Sequence, residues 1–385
     1  MAPPRDENGG YANTRPVLGE IAMSDQTFIS ADSHVNISHD KVKERLATKW
    51  HDDYDQAVSA FAARMNRGAG KANAAGAKME TRRTEVGGSN SVFSRPGYSE
   101  GPARLEDMDI DGVDIEVIYS EVSAFRYLGA IGAGTNAAVQ AFNNALTDFA
   151  SVDPRRLVVS YQVPIDDIPA AVREIERVAA LGAKSLQLPV FPSELGLPDY
   201  HDERYDPLWS VVTETRLPVC CHIGLNTALD DLTRRDPTPQ KGIMVPVTGL
   251  MTAEPLGMWI MGGVLERFPE LQVVFVEPGL TWVVWWLWLV DDMVTRQGYQ
   301  FPAISELPSF YFHRNVNLTF IDEPIGVQRL RDLIGVTNIL WSTDYPHPVT
   351  SWPKSRMLAE EQFASVPDDE RVLMTYGNAK RIWHL

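Results

Sequence analysis

Short apolar runs alternate with longer amphipathic segments along almost the whole chain, and no other feature constrains the fold as much. Eight runs read as strands: residues 27–34 (TFISADSH), 115–120 (IEVIYS), 157–163, 184–189, 217–224 (LPVCCHIG), 271–279 (LQVVFVEPG), 316–320 and 338–344. The run at 217–224 is continuously apolar, as a strand buried on both faces of a parallel sheet is. Helical stretches separate the runs, at 105–110, 136–150, 168–181, 207–215, 256–268, 280–295 and 325–334. Repeated βα units imply a parallel sheet, and eight of them suggest a closed barrel. The expected fold class is therefore α/β, a distorted (β/α)8 TIM barrel, with an open doubly wound sheet as the alternative. No GxGxxG follows a strand and no GxxxxGK[ST] occurs, so dinucleotide and P-loop sites lack support.

Composition divides the chain further. Residues 1–26 are rich in Pro, Gly, Asn and charge and carry no secretory apolar core, so they read as a flexible N-terminal arm. Residues 27–385 read as one barrel, with an insertion at about 57–104 rich in Ala, Gly, Asn, Ser and Arg. Such an insertion covers an active site or an oligomer interface, or else forms a mobile surface loop. The most apolar run, 281–290 (TWVVWWLWLV), is about half of the roughly 20 residues that a membrane span needs, so it reads as core. Within it Trp282, Trp285 and Trp286 read as one packing face, against the barrel or a partner subunit. Thirty-five Lys and Arg stand against 51 Asp and Glu, a net charge of −16. That balance argues against nucleic acid and anionic membrane as partners, leaving a small-molecule substrate. The two cysteines, Cys220 and Cys221, are adjacent on a strand and point to opposite faces, so both read as reduced thiols of a cytoplasmic protein.

In a (β/α)8 barrel the strand C-termini and the loops after them build the active site. Asp32 and His34 end the first strand, His222 the fifth, Glu277 the sixth and Asp344 the eighth, with His347 three residues on. Each alone has an ordinary explanation, a helix cap or a satisfied core histidine. Together they place carboxylates and imidazoles at one rim, donors that suit Zn²⁺, Fe²⁺ or Mn²⁺. Arg126, after the second strand, is a candidate clamp for a substrate carboxylate, and Asn226 a candidate substrate hydrogen bond. His313 and Arg314 precede strand seven and belong at the opposite face, while His39 and His51 read as solvated surface.

The chain resembles the amidohydrolase-related branch of the amidohydrolase superfamily, which includes aminocarboxymuconate-semialdehyde decarboxylase and resorcylate decarboxylase. The resemblance covers roughly residues 28–385 and rests on ISADSHV (29–35), RLEDMDIDGVD (104–114) and YDPLWSVVTETRLPVCCHIG (205–224). It continues through GGVLERFPELQVVFVEPGLTWV (262–283), WSTDYPHP (341–348) and TYGNAKRIW (375–383). It implies one divalent metal, zinc first with iron or manganese as alternatives, held by Asp32, His34, His222 and Asp344. It also implies that Asp344 can accept a proton from bound water, and that the protein forms a homo-oligomer or pairs with a related subunit. Lys184 opens its strand and lies at the wrong end for a carbamylated metal bridge. Where the decarboxylases end strand six in a histidine, this chain has Glu277. Glu277 is open to three roles: general base, ligand with His347 to a second metal, or anchor of the Pro-Gly turn. His347 could instead orient the Asp344 region, contact substrate or hydrogen-bond within its own turn.

The expected activity is thus a metal-dependent hydrolase of a small organic acid or amide, with Asp344, Glu277 and His347 as catalytic candidates. Hydrolysis is placed ahead of non-oxidative decarboxylation because the sixth-strand histidine is missing. A dinuclear iron or manganese oxygenase component, or its supporting subunit, is the third reading.

Overall fold

A computed structural model describes residues 26–68, 94–224, 226–238 and 241–385. The arm expected over 1–26 lies outside them except for Gln26, as does 69–93 within the insertion. Eight parallel strands follow one another around the sheet in chain order. They are β1 (Ile29–Val35), β2 (Ile115–Ser120), β3 (Leu157–Gln162), β4 (Ser185–Pro189), β5 (Val219–His222), β6 (Val273–Val276), β7 (Val316–Phe320) and β8 (Ile339–Trp341). The ring closes through the segment after β8: His34 N–H donates to Tyr345 O at 2.6 Å and Asp344 N–H to Asp32 O at 3.0 Å. Helices cover the outside, so this is the expected (β/α)8 barrel.

The barrel lumen is packed rather than hollow. Ala31, Tyr119, Val158, Cys220, Val274 and Leu340 fill it in one apolar cluster, joined from below by Trp383 of the C-terminal helix Asn378–Trp383. Trp383 Nε1 donates to Ser185 Oγ at 3.1 Å, which satisfies the indole where it plugs the strand N-termini. A larger apolar cluster lies between the strands and the helices. Asp32, His34, His222 and Asp344 form a buried polar layer above this packing, at the strand C-termini.

Several expected boundaries shift. Both ends of the insertion are helical, at His51–Gly68 and Gly101–Asp111, because Tyr54, Ala57 and Met108 are buried against the barrel. The helix expected at 256–268 is two helices, Ala253–Met261 and Val264–Arg267. Gly263 breaks it with φ +76°, at a point where a Cβ would stand 2.6 Å from Ala303 O. The expected tryptophan face is also corrected. In the helix Thr281–Gln297 the buried stripe is Val283, Trp286, Leu287 and Val290. Trp285 lies nearly opposite that stripe and is 63% exposed, with Trp288 64% exposed beside it. Among the described residues no helix is long and apolar enough to cross a membrane.

Candidate metal centre

The end of β1 brings the first two donors into place. The β1–β2 ladder slips between Ser30 and Ser33, a bulge that re-aims the strand just where Asp32 sits. Asp32 and His34 are both fully buried at the rim, and His222 at the end of β5 meets them. His34 Nε2 is 3.1 Å from His222 Nε2, and Asp32 Oδ1 is 3.5 Å from each of these nitrogens. Asp344 Oδ1 completes the group at 3.1 Å from His34 Nε2. Asp344 holds φ +52° and Glu277 φ +66°, left-handed backbone that a side chain occupies only where its surroundings hold it there.

The fit to a cation can be judged from these atoms alone. Donors about 2.1 Å from one ion stand about 3.0–3.4 Å apart in tetrahedral or octahedral geometry, close to the spacings here. Among the described residues no hydrogen bond of good geometry reaches either carboxylate oxygen of Asp32 or of Asp344, although all four are buried. A buried carboxylate such as Asp32 without a donor is costly unless a positive charge sits beside it. His222 Nδ1 lies 2.9 Å from Ile223 O; a carbonyl only accepts, so Nδ1 carries the hydrogen and Nε2 is left to face the cluster. Asp32, His34 and His222 therefore fit one divalent ion, with Asp344 beside them at 3.1 Å from His34 Nε2.

A second layer stands beside the first. His347 Nδ1 is 2.9 Å from Asp344 Oδ1, and its Nε2 is 3.3 Å from Glu121 Oε1, so each ring nitrogen faces a carboxylate. Its ring stacks on His34 with centroids 3.9 Å apart. Burial opposes the charge on His347, but Asp344 and Glu121 overcome it and push the imidazole up to about 12. Asp344 falls to about 2: burial alone would raise it, and the His347 charge with the His34 contact outweighs that. Tyr98 Oη donates to Glu121 Oε1 at 2.5 Å and holds this carboxylate from the far side. Glu277 differs. Burial first, then the Asp344 charge, raise its carboxyl well above the usual carboxylate range, with His222 opposing. Its Oε2 is 3.7 Å from His222 Nε2, and its side chain keeps 21% of its surface open at the rim.

Beneath the rim, Arg104 is fully buried and locks the β1 end. Its Nη2 donates to His34 O at 2.9 Å, its Nη1 to Gly97 O at 3.0 Å and its Nε to Glu116 Oε2 at 2.5 Å.

The structure thus gathers Asp32, His34, His222, Asp344, Glu277 and His347 at one rim, as their strand-end positions suggest. Glu277, Asp344 and His347 also bring donor atoms within 4.8 Å of one another, as do His34, Glu121 and His347. Arg126, on the helix Ser123–Leu128, lines the cleft that opens beside His222. Asn226 is buried, and its Oδ1 caps the helix Thr227–Arg235 by accepting from Leu229 N–H at 2.9 Å. His39 bonds the Tyr54 hydroxyl at 2.9 Å, and Lys184 reaches His384 O at the opposite end of the barrel. Sequence reasoning missed Glu121, although it directly follows the apolar run of β2 and obeys the same strand-end rule. Tyr98 and Arg104 carried no local signal, since both come from the insertion.

With this geometry in hand, the chain can be set against known proteins. The amidohydrolase family model matches residues 32–385. An amidohydrolase from Mycobacterium avium subsp. paratuberculosis K-10 superposes with TM-score 0.71 at 18% identity, over 94% of this chain and 98% of that one. The 5-carboxyvanillate decarboxylase of Sphingomonas paucimobilis gives TM-score 0.69 at 21% identity, over 94% and 99%. A dihydroxybenzoic acid decarboxylase from Polaromonas sp. JS666, with bound manganese and the inhibitor 2-nitroresorcinol, gives 0.65 at 18% identity, over 94% and 97%. Because the family match runs from the first donor at the end of β1 to the last residue, the chain belongs to the amidohydrolase family.

Proposed function

We propose that this protein is a metal-dependent, non-oxidative decarboxylase of a small aromatic or unsaturated carboxylic acid. The observation that carries the reading is the place of Glu277 at the rim, its Oε2 3.7 Å from His222 Nε2 and its carboxyl raised by burial and the Asp344 charge. The missing sixth-strand histidine first favoured hydrolysis, because carbon protonation needs an acid of near-neutral or higher pKa. Glu277 in these surroundings meets that need. Two of the similar structures are named as decarboxylases, which supports decarboxylation over the hydrolytic reading placed first from sequence and lends nothing to an oxygenase.

Asp32, His34, His222 and Asp344 would hold a divalent ion, which would supply a Lewis acid for a substrate oxygen. Its two charges are balanced by Asp32 and Asp344, and the His347 imidazolium by Glu121. Glu277 then faces a site with no net positive charge. Arg126 at the neighbouring cleft orients the acid by its guanidinium. Glu277 gives its proton to the carbon that bears the carboxylate, the carbon–carbon bond breaks, carbon dioxide leaves, and Glu277 regains a proton from water. Asp344 stays ionised throughout, held by His347.

Manganese, present in the Polaromonas structure, is the first ion to load, and the two-carboxylate, two-imidazole donor set also accepts Fe²⁺ or Zn²⁺. The test is a panel of hydroxylated benzoic acids labelled with ¹³C at the carboxyl group and incubated with manganese-loaded protein. Release of ¹³CO₂ from at least one member, abolished by chelator and restored by metal, is the expected result. Turnover of amides or lactones with no ¹³CO₂ from any acid would return the reading to hydrolysis.

A further inference from the structure

Two apolar elements that the chemistry does not use lie open at the surface. The first is the helix Thr281–Gln297, which follows Glu277. Its inward stripe packs against the barrel, yet Trp285 and Trp288 remain largely exposed. At 3.6 residues per turn they share one outward stripe with Thr281, Asp292 and Arg296. Asp292 pairs with Arg296, so the stripe has an aromatic half and a charged half. The second element is the helix Met244–Leu250, in the long connection after His222. It reads MVPVTGL and buries none of its residues. Ile243, Val245 and Leu250 are each about half exposed. The two helices meet at Pro278: a Cβ on Gly249 would stand 2.8 Å from Pro278 O, and Trp282 Nε1 donates to the same carbonyl at 3.0 Å. The two sets of open side chains thus belong to neighbouring elements.

A single exposed apolar residue is ordinary, but a patch built on two tryptophans marks an interface. An aromatic side chain buries about 150–250 Å² when fully covered, so Trp285 and Trp288 leave roughly 250 Å² open. Ile243, Val245 and Leu250 raise this to about 400 Å². A stable interface buries about 800 Å² on each partner, a little over half of it apolar. The patch therefore supplies most of the apolar centre that one partner of such an interface needs.

We propose that this face binds a second copy of the chain, the two helices Thr281–Gln297 lying antiparallel about a twofold axis between Trp285 and Trp288. Those two positions then face each other across the axis, and four indoles form the buried centre. The same register sets the polar rim. Arg296 of each copy is carried to the N-terminal end of the other helix, the end where Glu323 accepts from Leu280 N–H and Thr281 N–H at 2.7 Å each. Parallel helices would instead set Asp292 against Asp292. A lipid surface fits less well, because the chain carries a net charge of −16 and the stripe, with Asp292 paired to Arg296, has no net positive charge. The pairing is independent of the chemistry, although it braces the segments that follow His222 and Glu277.

The test is the mass of the full-length protein in solution, by size-exclusion chromatography with light scattering. Twice the chain mass of 42.9 kDa is expected at micromolar concentration. Trp285→Glu combined with Trp288→Glu should weaken pairing by about a hundredfold or more and give the mass of one chain. Its helical circular dichroism should match the parent's; Leu250→Arg serves where the double variant fails to fold. Ile110→Glu, at a position nearly as open but on the helix Gly101–Asp111, should stay paired. In Trp288→Cys a short bis-maleimide should join two copies, since Cys220 and Cys221 are buried and do not compete. A parent that runs as one chain at micromolar concentration overturns the proposal. So does a dimer that survives the two glutamates, which would place the interface on another face. A single chain that floats with phosphatidylcholine vesicles also overturns it, with lipid as the occupant.

Discussion

His34 Nε2 and His222 Nε2 face each other across 3.1 Å at the barrel rim, each also 3.5 Å from Asp32 Oδ1. Two imidazole nitrogens at that distance share one proton or one cation. Burial lowers the His34 imidazole, with the His347 charge pulling the same way, so His34 is neutral. Burial pulls His222 down as well, but the Asp32 carboxylate beside it pushes it up to about 9. The ion therefore replaces the His222 proton. Metal binding should release a proton at neutral pH, and apparent affinity should fall about tenfold for each unit below pH 9 over that limb. Metal titrations in two weakly buffered solutions of different pH, followed by a pH indicator, check this. Proton uptake, or an affinity independent of pH between 6 and 8, would contradict it.

Substituting His34 and His222 together by alanine should reduce metal from about one ion per chain to near zero, since at most two of the donors remain. Metal content of the purified variant after dialysis gives the answer, with its helical circular dichroism as the control for folding.

His347 acts through Asp344. With both nitrogens held by carboxylates it fixes the orientation of Asp344 Oδ1, 2.9 Å away, without entering the donor set of the first ion. His347→Gln should weaken metal affinity by about 10–100-fold, measured by chelator competition, and Glu121→Gln should weaken it less. Equal loss of metal in both variants would instead place Glu121 in direct contact with an ion.

Arg104 carries a prediction of stability. Removing it leaves Glu116 buried without its partner and His34 O without its donor. Arg104→Met should cost about 3–5 kcal/mol, seen as a lower midpoint in denaturant, and should loosen the metal site as well. A midpoint unchanged from the parent would mean that the buried pair is dispensable.

Much of this was legible in the sequence, for a physical reason. Parallel strands buried on both faces stand out as apolar runs, and a charged residue ending such a run has few structural excuses; Asp32, His222, Glu277 and Asp344 were found that way. Glu121 obeyed the same rule and was passed over because β2 ends in polar Ser120, which blurs where the run stops. The roles of Arg104 and Tyr98 were unread, although Arg104 opens the motif at 104–114, since a long-range partner leaves no periodicity near either residue. The helices Thr227–Arg235 and Met244–Leu250 after β5 were unread because prolines at 237, 239 and 246 break any helical pattern there. Trp285 was misplaced because several tryptophans in one run mask which residues form the buried stripe of the helix.

Decarboxylation through Glu277 is the central claim, and solvent deuterium tests it most directly. Manganese-loaded protein should turn a hydroxybenzoate that it accepts in D₂O into a product with one deuterium on the carbon that lost its carboxyl group. Glu277→Gln, which keeps the shape but has no acidic proton, should slow that incorporation by about 10²–10⁴-fold while still binding metal. A product that keeps its carboxyl carbon, or a Glu277→Gln variant as fast as the parent, would contradict the account.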